Sequence, residues 1–293
     1  MIRALRAGMW WLAMALPLKA VDISWFCNPD STNLASSGAA MDGSFVFEVG
    51  VFSDGFVPTV SNLIEWQDHW VPAQQASYQV STQRFSGVFL VTGNPAPFTG
   101  GAPGWIFGRK PGGVADEWIL FRASSWQWPE PDFGPPMPPL DWNAADADQV
   151  VLGTVNASGS PFLMRSAEVR SFDQWRGTEL AGEPLDGPND DPDHDGRPNA
   201  FEFAFGTSPL IPDASQPAAI DFDAGHARVT VPRLAGRPVH LWVEVSENLS
   251  TWSSGPPHLE TVVETSASLV VRDPIAAGPL RPRAFYRVRV ELP

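Results

Sequence analysis

Thirty prolines and 25 glycines interrupt this 293-residue chain, and at that frequency long helices cannot dominate it. Proline removes a backbone donor and glycine carries a high entropic cost in regular elements, so the sequence suits short strands joined by turns. The apolar runs agree. Residues 44–52, 87–92, 105–107, 117–122 and 149–152 read as strands in the first half. In the second half, residues 226–231, 240–245, 268–271 and 285–290 alternate apolar and polar with the period of two that a half-buried strand requires. One helix is predicted after Pro58 and Thr59, where Leu63, Trp66 and Trp70 recur at helical spacing and Pro72 ends the run. Residues 129–139, rich in proline, read as an extended crossover loop.

The chain is 43% hydrophobic and 18% charged, which is globular material, and its length favours about two cores. Its net charge of −14 excludes nucleic acid as a partner, since phosphate binding needs clustered Lys and Arg. Lysine stands only at Lys19 and Lys110, and no basic run offers attachment to an anionic membrane.

The first twenty residues read as a signal peptide. Arg3 and Arg6 precede an apolar stretch over residues 9–18, and Lys19 and Ala20 mark a cleavage point. That stretch is too short to span a bilayer, and no second one follows, so no membrane insertion is expected after signal removal. Cleavage would delete three basic residues and no acid, taking −14 to −17. The expected location is secreted or extracellular, with the periplasm as the alternative. Cys27 is the single cysteine, so no internal disulfide can form. Trp25 and Phe26 before it do not suit lipidation, and a buried thiol is expected.

One segment carries chemistry. Residues 191–202 read Asp-Pro-Asp-His-Asp-Gly-Arg-Pro-Asn-Ala-Phe-Glu, which meets the twelve-residue EF-hand template at each constrained position. Asp191, Asp193 and Asp195 occupy positions 1, 3 and 5, where side-chain oxygens converge on a hard cation. Gly196 supplies the sharp turn at position 6. Arg197 at position 7 contributes its backbone carbonyl alone, so its charge is free to turn away. Asn199 at position 9 is a ligand or the holder of a bridging water, and Glu202 at position 12 reaches back with both oxygens. Four carboxylates in twelve residues repel one another unless a cation neutralises them, so order here should depend on metal. The donors are all oxygen, and His194 faces outward, which selects Ca²⁺ over zinc or copper.

Ser171-Phe-Asp-Gln-Trp175, a Gly/Pro spacer, the acidic loop, the run Pro-Asn-Ala-Phe-Glu-Phe-Ala-Phe-Gly-Thr-Ser-Pro and the trailing Pro212-Asp213 resemble a calcium-loop segment of exported bacterial proteins of the verrucomicrobial and planctomycete type. The segment is also similar to single dockerin and thrombospondin type 3 loops. Dockerins carry two loops and this chain has one, so the resemblance implies no cohesin partner; no second copy makes a thrombospondin-type array. Residues 45–59 with Trp66 and Trp70 look like a domain of such exported proteins, and residues 242–252 with 285–289 resemble their terminal β-module. Those domains have no assigned activity. Relatives often end in a sorting helix with a basic tail; this chain ends at Pro293 without one, which favours release.

The expected fold is therefore mainly β: two β-sandwich-like domains, at 21–167 and 214–293, joined by a short helical segment at 168–213 that carries one EF-hand-type loop. In that segment Ser171 is expected to cap a helix presenting Phe172 and Trp175, and Gly206 to stop a second one. The expected function is a secreted, non-enzymatic, calcium-stabilised structural or binding protein. One alternative is a carbohydrate-binding module stacking sugars on exposed Trp, with polysaccharide or another extracellular matrix component as partner. Trp118, Trp126, Trp128 and Trp142 are the cluster to ask about, and strand alternation favours a core role for them. A second alternative is an extracellular hydrolase. Glu65, Asp68 and His69, or Glu130 and Asp132, are its only candidate groups, and neither set matches a hydrolase motif.

Overall fold

The computed structural model describes residues 21–112, 115–130, 138–157, 159–214, 217–265, 267–279 and 281–293. The predicted signal peptide, most of the proline-rich loop and Asp132 lie outside the described residues. The fold is mainly β. The first half contains β1 (Val21–Phe26), β2 (Thr32–Leu34), β3 (Val46–Phe52), β4 (Trp70–Ser77), β5 (Ser86–Val91) and β6 (Trp105–Lys110). It continues with β7 (Asp116–Arg122), β8 (Leu140–Asn143), β9 (Gln149–Leu152), β10 (Thr154–Val155), β11 (Leu163–Arg165) and β12 (Ala167–Val169). A six-stranded sheet ordered β12-β7-β6-β3-β4, with β9 also paired to β7, forms the centre. Two three-stranded sheets, β5-β1-β8 and β10-β11-β2, complete this half.

The central sheet is buried on both faces, which explains why its strands are apolar almost without a break. Ile106, Ile119 and Phe121 face a core shared with Trp25, Phe47, Phe85, Trp126, Trp128 and Trp142. Trp105, Phe107, Trp118 and Leu120 face the opposite way, against Val60, Leu63, Trp66 and Trp70. Two pairings depart from the antiparallel expectation: β1 runs parallel to β8, and β2 parallel to β11. Each brings together strands far apart in sequence, which a hairpin could not do.

The helix expected through Trp70 is shorter. A 3₁₀ turn spans Val60–Glu65, one α-turn, α1, spans Trp66–His69, and Trp70 already begins β4. Leu63, Trp66 and Trp70 do share one apolar cluster, so the spacing reported a common face and not a continuous helix. Pro72 sits within β4 opposite Gly50, where the register against β3 shifts, and a bulge is where a strand accepts proline.

The second half begins with two helices, α2 (Phe172–Glu179) and α3 (Asn199–Phe205). Six strands follow: β13 (Ala219–Asp223), β14 (His226–Pro232), β15 (His240–Ser246), β16 (Glu260–Glu264), β17 (Ser268–Arg272) and β18 (Phe285–Glu291). They form a four-stranded sheet, β13-β14-β17-β16, and a two-stranded one, β15-β18. Val229, Val231, Leu269 and Val271 pack with Leu241, Val243 and Val245, and Trp175, Leu180 and Phe203 from the helices join that same cluster. The acidic segment thus shares its core with the last strands.

The two halves meet at a tight turn. Arg170 N–H donates to the Gly236 carbonyl at 3.1 Å, and Arg237 pairs with Glu168 at 3.2 Å. Gly236 has φ +77°, and a Cβ there would lie 1.8 Å from the Glu168 carbonyl oxygen, so only glycine allows this approach.

Candidate metal centre

The acidic loop is held between two helix termini that the sequence specifies locally. Ser171 caps α2 in a reciprocal box: its hydroxyl accepts from Gln174 N–H at 3.2 Å, and Gln174 Oε1 accepts from Ser171 N–H at 2.9 Å. Phe172 and Trp175 then lie 5.6 and 5.7 Å from Phe203 of α3, locking the two helices together. Gly206, left-handed at φ 71°, ends α3 and donates its N–H to the Glu202 carbonyl at 2.7 Å.

Between these ends the chain folds on its own carboxylates. Asp193 Oδ1 accepts from Asp195 N–H at 3.2 Å, Asp191 Oδ2 from Gly196 N–H at 2.9 Å, and Asp195 Oδ1 from Arg197 N–H at 2.9 Å. Asp195 Oδ2 accepts from Asp213 N–H at 3.0 Å, so the trailing Asp213 closes the loop from behind. Gly196 takes φ +90°, the conformation expected at position 6. His194 is exposed. The Arg197 guanidinium pairs with Asp213 at 3.0 Å.

Asp191, Asp193 and Asp195 each offer a carboxylate oxygen within 4.8 Å of the others. Among the described residues no other group of three His, Cys, Asp or Glu could hold a metal. Glu202, from the first turn of α3, is wholly buried. Its Oε2 has no hydrogen-bond partner, and neither do the buried Oδ1 of Asp191 and Oδ2 of Asp193. These are the only buried carboxylate oxygens among the described residues left in that state. Burial, together with the negative charge of Asp193, Asp195 and Asp191, pushes the Glu202 carboxyl up to about 8. Burial and the flanking carboxylates raise Asp193 as well.

Asn199 has a role that spacing alone did not reveal. Its side-chain amide donates to the Leu185 and Gly187 carbonyls at 3.0 and 2.8 Å, while its backbone N–H donates to Asp190 O at 2.8 Å. It therefore clamps the incoming chain to the start of α3, and its Oδ1 is buried without a partner. Asp190 and Thr207, which brace the loop at Gly187 N–H and beside Glu202, were also missed; neither position is constrained by the twelve-residue template.

Among the described residues the hydrolase candidates form no site. The His69 ring stacks on Phe56 at 4.2 Å, and Glu65 and Asp68 are exposed and form no ion pair with it. Trp118, Trp126, Trp128 and Trp142 are all buried, as their strand pattern suggested, and cannot stack on a polysaccharide. Only Trp242 and Trp252 among the described tryptophans are partly exposed. Cys27 is buried, and burial raises its thiol pKa, as befits an inert core residue.

Comparison with known proteins finds no matching family model, no matching curated protein and no matching solved structure.

Proposed function

We propose that this chain is an exported, calcium-stabilised protein with a structural or ligand-binding role, in which residues 191–202 hold one Ca²⁺ that fixes the joint between two β-sandwich-like units. The observation that supports this most directly is Glu202: a carboxylate wholly inside the protein, with a partnerless oxygen and three aspartates for neighbours. Protein interiors do not leave such a group uncompensated unless something else supplies the positive charge. Asp191, Asp193, Asp195 and Glu202 would contribute carboxylate oxygens, Arg197 its carbonyl, and Asn199 its Oδ1 directly or through water. An all-oxygen set on a flexible loop suits calcium better than the smaller, stricter magnesium ion. When bound, the ion would replace mutual repulsion with attraction and so hold α3 in place. Phe203, next to Glu202, lies under the Arg237 guanidinium at 5.3 Å, and Arg237 in turn pairs with Glu168 of the first half. Ordering the loop thereby orders the joint.

The test is thermal unfolding of the full chain in calcium and in chelator. An affinity of the extracellular class, on the order of 10⁻⁴–10⁻³ M, predicts about 2 kcal/mol of stabilisation at ~10 mM Ca²⁺, or a midpoint rise of roughly 5 °C. Asp193→Asn should lose most of that rise. A midpoint indifferent to calcium in both proteins sinks the reading.

A further inference from the structure

A cavity of about 410 Å³ opens on the face of the central sheet that carries Trp105, Phe107 and Trp118, and none of the acidic-loop residues lines it. Its size falls within the ~300–1,000 Å³ range of small-molecule sites. Strand register builds it. Gln75 of β4 lies opposite Glu48 of β3, and Val46 of β3 lies opposite Arg109 of β6, which in turn lies opposite Trp118 of β7. Paired residues share a face, so two neighbouring rows bring these groups to one end of the sheet. Gln67 of α1 and Asp116 of β7 complete the wall.

The other half of the same face is filled by Trp66, Trp70, Phe107 and Leu120. Here the filling stops and polar groups take over. Glu48 is 5% exposed and is held by two donors, Arg109 Nη2 at 2.7 Å and Trp70 Nε1 at 2.8 Å. Both bonds fall on Oε2, and among the described residues no donor reaches Oε1. The side-chain amides of Gln67 and Gln75 likewise have no hydrogen-bond partner among the described residues. The cavity therefore combines a fixed carboxylate, a fixed guanidinium and two uncommitted amides beside the largely buried Trp118 indole.

That combination selects its ligand. Arg109 is neutralised by Glu48, and Asp116 adds an acid, so an anion is disfavoured. No third metal-ligating group joins Glu48 and Asp116, so a cation site does not form there. Adjacent hydroxyls both donate and accept, and the carboxylate, the guanidinium and the two amides offer acceptors and donors side by side. We infer that the cavity binds an uncharged sugar unit of an extracellular polysaccharide. This assignment rests on the ligand-binding half of the proposed function and not on its calcium half.

The experiment uses the full chain in calcium, screened by glycan array and then by calorimetry against neutral gluco-, manno- and xylo-oligosaccharides. Binding to at least one neutral series is expected. Gln67→Ala and Gln75→Ala should each weaken it about tenfold or more without moving the thermal midpoint, because both side chains are exposed and make no internal bonds. Trp242→Ala and Trp252→Ala should leave affinity unchanged. No binding to any neutral series, binding to anionic glycans alone, or loss only with the Trp242 and Trp252 variants overturns the site. A calcium-insensitive midpoint with sugar binding intact would remove the calcium reading and leave this one standing.

Discussion

Two glutamates are buried among the described residues, and the chain treats them in opposite ways. Glu48 lies in the central sheet with a guanidinium and an indole N–H on the same oxygen, at 2.7 and 2.8 Å. Glu202 lies in α3 with a partnerless oxygen, and burial together with three neighbouring aspartates pushes its carboxyl up to about 8. Both sit in parts of the fold rich in aromatic packing, so burial alone does not separate them. The difference is the source of the compensating charge. One is supplied by the sequence; on the function proposed above, the other would come from a bound ion. A buried acid with its own partner is architecture, and one without needs an explanation.

That contrast can be broken at either end. The largest effect is expected from Arg109→Met, which strands Glu48 with only Trp70; it should cost on the order of 3 kcal/mol in urea unfolding, equally in calcium and in chelator. A calcium-dependent loss would mean the two sites are not independent. Glu202→Gln should act with a sign that depends on the medium. In chelator it removes a carboxyl that must take up a proton to be buried, and should raise the midpoint, by on the order of 1 kcal/mol. In calcium it removes the chelating carboxylate and should forfeit most of the ~2 kcal/mol gain. Destabilisation in both media would show that Glu202 is held by the protein after all.

The smallest effect, and the sharpest in sign, concerns pH. In metal-free protein Glu202 keeps its proton up to about 8, whereas the unfolded chain releases it near 4.5. Between those values the unfolded state binds fewer protons, so stability in chelator should fall as pH rises. The increment from calcium should grow over the same interval, since a cation competes with that proton. Differential scanning calorimetry at several pH values checks both trends, and parallel trends would count against a site at Glu202.

Much of this was legible from residues alone, for physical reasons that differ by region. The turn at Gly196 and the helix cap at Ser171 were readable because their constraints are local and act within a few residues. The apolar runs of β3 and β7 and the alternation of β14 declared themselves for a similar reason. What failed was the register of distant partners. β1 and β8 pair across more than a hundred residues, and β4, with Pro72 and two glutamines, lacks any strand signature until the bulge opposite Gly50 is known. Glu48 was overlooked because a lone acid in an apolar run looks like an exception until Arg109, two strands' worth of sequence away, is seen beside it. Asn199 was read as a ligand position, and its clamp on Leu185 and Gly187 depended on a fold-back invisible in spacing.

Glu202 and Phe203 are neighbours in the chain, one facing the acidic loop and the other the apolar core beside Trp175. With calcium bound as proposed, a single turn of helix would tie the ion content of the medium to the closure of a hydrophobic interior. Where free calcium is scarce, α3 would loosen and the stretch of chain around it would be open to proteases. Where calcium is plentiful, the same stretch would resist digestion. The protein's lifetime would then be set by the water around it.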